Sequence, residues 1–146
     1  MILEHSGKLL EYPDNPFSEE ALIMRAEVQF NKVQFADALA SYKMLKEKAT
    51  TAERRLLAET GMLRAAYLLK DDTETIHAAT ALLSEAKLSP ELKNEALYYR
   101  AKAYLNQKAD KAAMGDLKEL AKDTRNLYGA EAKFLVAQEL YNSQNY

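Results

Sequence analysis

Reactive side chains are few in this chain of 146 residues: two histidines, His5 and His77, no cysteine and no tryptophan. Without cysteine there is no disulfide, no thiolate nucleophile and no cysteine-based zinc site. The histidines are far apart in sequence, and neither stands in an HExxH pattern or beside a pair of carboxylates. Each reads as a solvated or packing side chain. Ser6–Gly7–Lys8 has the end of a phosphate-binding loop, but Ile2 stands where GxxxxGK needs its first glycine, and no strand precedes it. The acid pairs Glu19–Glu20 and Asp71–Asp72 fall at helix starts, where they complement the helix dipole without any catalytic role. GxSxG, GxGxxG and calcium-loop patterns are absent. No catalytic residue, metal site or cofactor is expected, and the chain reads as a non-enzyme.

Nine tyrosines ask for a different explanation. Phe30, Phe35, Tyr42, Tyr67 and Tyr141 fall on apolar helical faces, so packing accounts for them. Tyr98, next to Tyr99, is not among these. An exposed aromatic flanked by charge suits binding of a peptide or protein.

The elements that would position these residues are helical. Phe35, Ala38, Leu39, Tyr42 and Leu45 recur at i, i+3, i+4, i+7 and i+10, and strand-like alternation is absent. Pro13 and Pro16 break the chain before an N-terminus at Ser18–Glu19–Glu20. Thr50 and Glu53 have capping-box spacing, Asp71 or Asp72 can cap the next helix, and Ser89–Pro90 supplies a cap residue followed by proline at the first helical position. These signals predict helices over 2–11, 18–31, 35–48, 51–69, 73–86, 90–106, 110–123 and 128–142.

Composition agrees. Apolar residues make up 48% and charged ones 29%, and only 4 glycines and 3 prolines are present, which disfavours turn-dense all-β folds. The net charge of −2, with acids and bases interspersed, offers no basic stripe for nucleic acid. No apolar run approaches the roughly 18–20 residues of a membrane span.

The helices repeat. Ala26, Leu63, Ala101 and Ala137 align at spacings of 37, 38 and 36 residues. The partner helix supplies Ala38, Thr75 and Ala113, then Tyr42, Ala79 and Leu117, then Leu45, Leu82 and Leu120. Small residues facing each other let two antiparallel helices approach, and one such pair must stack on its neighbours to bury its apolar side.

On these residues, and most clearly on ALYYRAKAYLNQKADKAAMGDLKEL (96–120), the chain resembles the tetratricopeptide repeat family, whose repeat is about 34 residues. The second copy is degenerate, with Leu63 at the small-residue site, and the glycine usual at the turn within each repeat is replaced by Val33, Lys70, Lys108 and Gln144. The resemblance implies an all-α fold, a right-handed superhelical solenoid of about three and a half repeats. Residues 1–17 would close a preceding repeat, 18–50, 51–88 and 89–126 form three repeats, and 127–146 supply the first helix of a fourth. It also implies a concave, groove-facing set: Ile23, Thr60, Tyr98 and Phe134 in one column, Glu27, Arg64, Lys102 and Gln138 in the next, and Asn31, Leu68, Asn106 and Asn142 beyond.

The function expected from this is a protein–protein interaction scaffold taking a peptide or protein on that face, as part of a longer repeat protein. The uncovered side of the last helix, with Phe134, Leu135, Ala137, Leu140 and Tyr141, predicts weak self-association. The PDNPFSEEA turn (13–21) is similar to inter-repeat turns of bacterial envelope proteins of this family. That implies the alternative of a structural segment of a periplasmic or outer-membrane-associated assembly protein. An envelope location follows if the parent carries a signal, and a cytoplasmic one otherwise.

Overall fold

The computed structural model describes residues 16–122 and 125–144, and among these every regular element is an α-helix. There are seven: α1 (Pro16–Asn31), α2 (Phe35–Lys48), α3 (Ala52–Leu69), α4 (Asp72–Leu83), α5 (Pro90–Asn106), α6 (Asp110–Ala121) and α7 (Gly129–Gln144). The all-α class and the approximate positions of these helices agree with the sequence, but α1 opens at Pro16, which starts the helix rather than breaking it, so Ser18 lies within its first turn and is not its cap. The expected helix over 2–11, with His5, and the turn at Pro13 lie outside the described residues.

By its contacts the chain divides into two compact units, Met1–Asp71 and Asp72–Tyr146. In the first, α1 packs on α2 and α2 on α3; in the second, α4 packs on α5, α5 on α6 and α6 on α7.

Three helices end alike. After α1, α3 and α5 the backbone turns left-handed at Val33, Lys70 and Lys108, with φ of 63°, 64° and 61°. In each case that residue's N–H bonds to the carbonyl three back, and the next N–H reaches five back. The pairs are Val33 to Phe30 and Gln34 to Gln29, Lys70 to Tyr67 and Asp71 to Ala66, and Lys108 to Leu105 and Ala109 to Tyr104. This double closure satisfies carbonyls that the helix end would leave open, and glycine is its usual occupant. The substitution of Val33, Lys70 and Lys108 at a glycine position is therefore real, and it recurs at the repeat spacing.

The aligned columns are buried. Ala26, Leu63 and Ala101 are fully covered, as are Ala38, Thr75 and Ala113, and the Tyr42–Ala79–Leu117 and Leu45–Leu82–Leu120 columns. Each leucine so buried contributes roughly 1.5–3 kcal/mol. In the second unit Leu97, Ala101, Leu117, Leu120 and Ala132 form the core cluster.

Three further local expectations are corrected. The cap of α3 is Thr51, whose hydroxyl accepts from the Arg54 N–H at 3.1 Å, because Thr50 is engaged by Glu19 instead. Helix α4 stops at Leu83 rather than 86. There the Ser84 hydroxyl donates to the Thr80 carbonyl and the Thr80 hydroxyl to that of Ile76, competing with continuation of the helix. On the last helix Phe134, Ala137, Leu140 and Tyr141 are exposed, so packing does not account for Tyr141, whereas Leu135, expected on the uncovered side, is half-buried against the core with Ala132 and Val136. Ser89, by contrast, caps α5 as expected, accepting from Leu92 N–H at 3.2 Å with Pro90 behind it.

Candidate functional site

In the second unit, α5 and the start of α7 bring Tyr98, Lys102, Tyr128 and Glu131 together. The loop before α7 is shaped by Asn126, whose side-chain amide donates to the Leu120 carbonyl and whose Oδ1 accepts from Tyr128 N–H at 2.8 Å. This local turn sets the Tyr128 ring parallel to that of Tyr98, with centroids 4.5 Å apart and 20° between planes. Tyr99 lies against Tyr98 at 6.0 Å. The Tyr98 hydroxyl donates to both oxygens of Glu131, at 3.0 and 2.9 Å, and the Lys102 ammonium is 3.9 Å from the same carboxylate.

Tyr98 is thus a half-buried side chain whose ring also packs on the core cluster. Its candidate role as a contact residue is sharpened: one edge of a three-tyrosine cluster, the charge beside it already balanced by Glu131. Of the other expected residues in this unit, Asn106 is drawn to the start of α4, its amide donating to Asp72 at 3.1 Å. Phe134 and Gln138 are exposed on α7, Phe134 by 63%.

In the first unit Ile23, Glu27 and Asn31 share one face of α1, and Thr60 and Arg64 lie on α3. Ile23 is half-buried and Glu27, Asn31 and Arg64 are exposed, while the Thr60 hydroxyl donates to its own helix at Leu56. Tyr42 lies between the two helices. Burial raises its phenol above the ordinary tyrosine value, Glu27 adds to the rise and Arg64 opposes it. Glu27 and Arg64 therefore both act on the Tyr42 hydroxyl, in opposite senses. Beneath them the Tyr42 ring covers Gly61 so closely that a Cβ there would come well inside the 3.0 Å limit of real contacts.

Residues without a signal in the apolar spacing hold these faces in place. Glu19 is buried at the start of α1 and accepts from Thr50 N–H at 2.7 Å, from the Thr50 hydroxyl and from Arg54 at 3.0 Å. Burial opposes its ionisation, but those donors outweigh it and hold the carboxyl below its ordinary range. Arg25 donates to Ser41 at 3.2 Å, and Ser41 to Gln29 at 2.6 Å. Arg100 grips Asp116 at two points and stands 5.9 Å over the Tyr104 ring. The repeat register does carry a signal for these pairs: 25 and 100 are equivalent, as are 41 and 116, and 29 and 104.

An open cleft of about 430 Å³ between α6 and α7 is lined by Asp110, Lys111, Met114, Gly115, Lys118, Glu139 and Leu140, none of them an expected site residue. Among the described residues no group of three or more potential ligands could hold a metal ion, and no helix is long and apolar enough to cross a membrane. His77 is exposed on α4. Comparison with family models, with curated proteins and with solved structures finds no match to the chain.

Proposed function

We propose that the chain is a tetratricopeptide-like repeat segment serving as a non-enzymatic interaction scaffold. Three left-handed turns with the same pair of closing hydrogen bonds, 37 and 38 residues apart (70−33 and 108−70), support the repeat. The observation that carries the function is the Tyr98–Tyr99–Tyr128 cluster rimmed by Lys102 and Glu131. Stacked rings give a rigid apolar surface at low entropic cost, and the rim gives direction. The partner is a peptide segment with an apolar or aromatic residue next to an acid. Its carboxylate takes the place of Glu131 on the Tyr98 hydroxyl and Lys102.

Selection from a random-peptide library on the immobilised chain tests this. Enriched peptides should share an aromatic or large aliphatic residue beside Asp or Glu. Enrichment that is unchanged on a Tyr98→Ala chain overturns the proposal.

A further inference from the structure

Tyr98 is in ring contact with two further tyrosines, and its hydroxyl donates to a solvent-exposed carboxylate. The Tyr128 ring lies nearly parallel to it, with centroids 4.5 Å apart, whereas Tyr99 is 6.0 Å away and tilted by 57°. Tyr98 and Tyr128 are both half-buried. We propose that this pair is an oxidative modification site. A diffusible one-electron oxidant, such as the carbonate radical, links Tyr98 to Tyr128 as dityrosine.

The hydroxyl geometry directs the first electron loss to Tyr98. A phenol that loses an electron becomes a strong acid, so its oxidation is easiest where a base already holds the hydroxyl hydrogen. The two Glu131 oxygens stand 3.0 and 2.9 Å from the Tyr98 oxygen, within the range at which a general base takes a proton. Glu131 is exposed and passes that proton on to water. Tyr104, on the same helix, is disfavoured, because the Arg100 guanidinium stands over its ring and opposes the loss of negative charge. Tyr42 is buried.

The stack then directs the coupling. A second equivalent of oxidant takes an electron from Tyr128, whose hydroxyl proton leaves to water. The two phenoxyl radicals already lie face to face, and a bond forms between one ring carbon of each, ortho to the oxygen. The hydrogen on each joined carbon moves to the neighbouring oxygen, which restores both hydroxyls. For each link, two electrons go to two molecules of oxidant and two protons go to water. Because the rings are already in contact, the link forms within one chain, ahead of encounters between chains in dilute solution. It ties α5 to the loop before α7. This chemistry needs only the chain and an oxidant, so it stands or falls apart from peptide binding.

Photo-oxidation of the dilute whole chain with tris(bipyridyl)ruthenium(II) and persulfate tests the proposal. The product should remain monomeric and show the blue fluorescence of dityrosine. Trypsin should release residues 94–100 joined to 126–133. Tyr98→Phe and Tyr128→Phe should each abolish the joined pair, and Tyr99→Phe should leave it. Glu131→Gln should slow its formation several-fold, and circular dichroism should show the same helicity in every variant. Links formed only between chains, or a joined pair that survives Tyr98→Phe, overturn the proposal. So does a rate that Glu131→Gln leaves unchanged.

Discussion

Arg100 and Asp116 form a two-point ion pair between α5 and α6, with Nε to Oδ2 at 2.8 Å and Nη2 to Oδ1 at 2.6 Å. The hydrogen bonds from Arg100 to Asp116, with the carboxylate's charge, hold the guanidinium more firmly protonated than usual, against the opposing effect of burial. Ser41 stands in the place of Asp116 in the first copy, joined to Arg25, whereas the second copy has Met62 and Ala78, both buried. The position is polar on both helices or apolar on both. Half a pair leaves a charge without its partner in a largely buried place, which costs more than exchanging the pair.

Asp116→Ala is therefore expected to destabilise the chain by about 2–3 kcal/mol. The double change Arg100→Met with Asp116→Ala, which writes the second copy's residues into the third, should recover at least half of that. Chemical denaturation of the two single variants and the double variant measures the coupling.

Gly61 and Tyr42 make the converse case, in which backbone freedom is not the issue. Alanine would gain up to about 1 kcal/mol from helix propensity. Its Cβ, however, would meet the buried Tyr42 ring inside contact distance. Gly61→Ala should cost about 1–2 kcal/mol net. In a Tyr42→Leu background the same change should become neutral or stabilising, and thermal melts of the two pairs compare the effects directly.

Val33 is a β-branched residue in the left-handed region, with φ of 63° and a side chain 69% exposed, so little packing compensates. The left-handed conformation costs an L-residue about 1–2 kcal/mol, and glycine's larger unfolded-state entropy returns part of that. Val33→Gly should stabilise by about 0.5–1 kcal/mol. A lower melting temperature would contradict the turn geometry.

Glu19 supplies a pH dependence of definite sign. Its carboxyl is held below the ordinary value in the folded chain, so the stability it contributes is present above the unfolded glutamate pKa. It is lost as pH falls through about 4 and below. Glu19→Gln should be less stable than the wild type at pH 7, and the gap should close on acidification. A gap that stays constant from pH 7 to about pH 3 would mean that the Glu19 charge contributes nothing to stability.

Helix positions were legible because the apolar spacing within each helix is a local property, as with Phe35 to Leu45. The buried columns followed once Ala26, Leu63 and Ala101 were aligned. Contacts between helices two apart were not, since Glu19 to Arg54 and Tyr98 to Glu131 join residues 35 and 33 apart with no periodicity to announce them. Ala137 and Tyr141 show the limit of register. Their equivalents earlier in the chain are covered by a following helix, and among the described residues none follows α7. Tyr98 was legible as a candidate but not its stacking on Tyr128, which depends on the Asn126 turn.

The most direct test of the proposed interaction is the affinity of one library-selected acidic peptide, labelled and followed by fluorescence anisotropy, for three chains. Tyr98→Ala should weaken binding by about tenfold or more relative to the wild type, as loss of a central aromatic contact does. Glu131→Gln should strengthen it several-fold, because it frees the Tyr98 hydroxyl and Lys102 for the peptide's carboxylate. Equal affinity for all three chains would contradict the account.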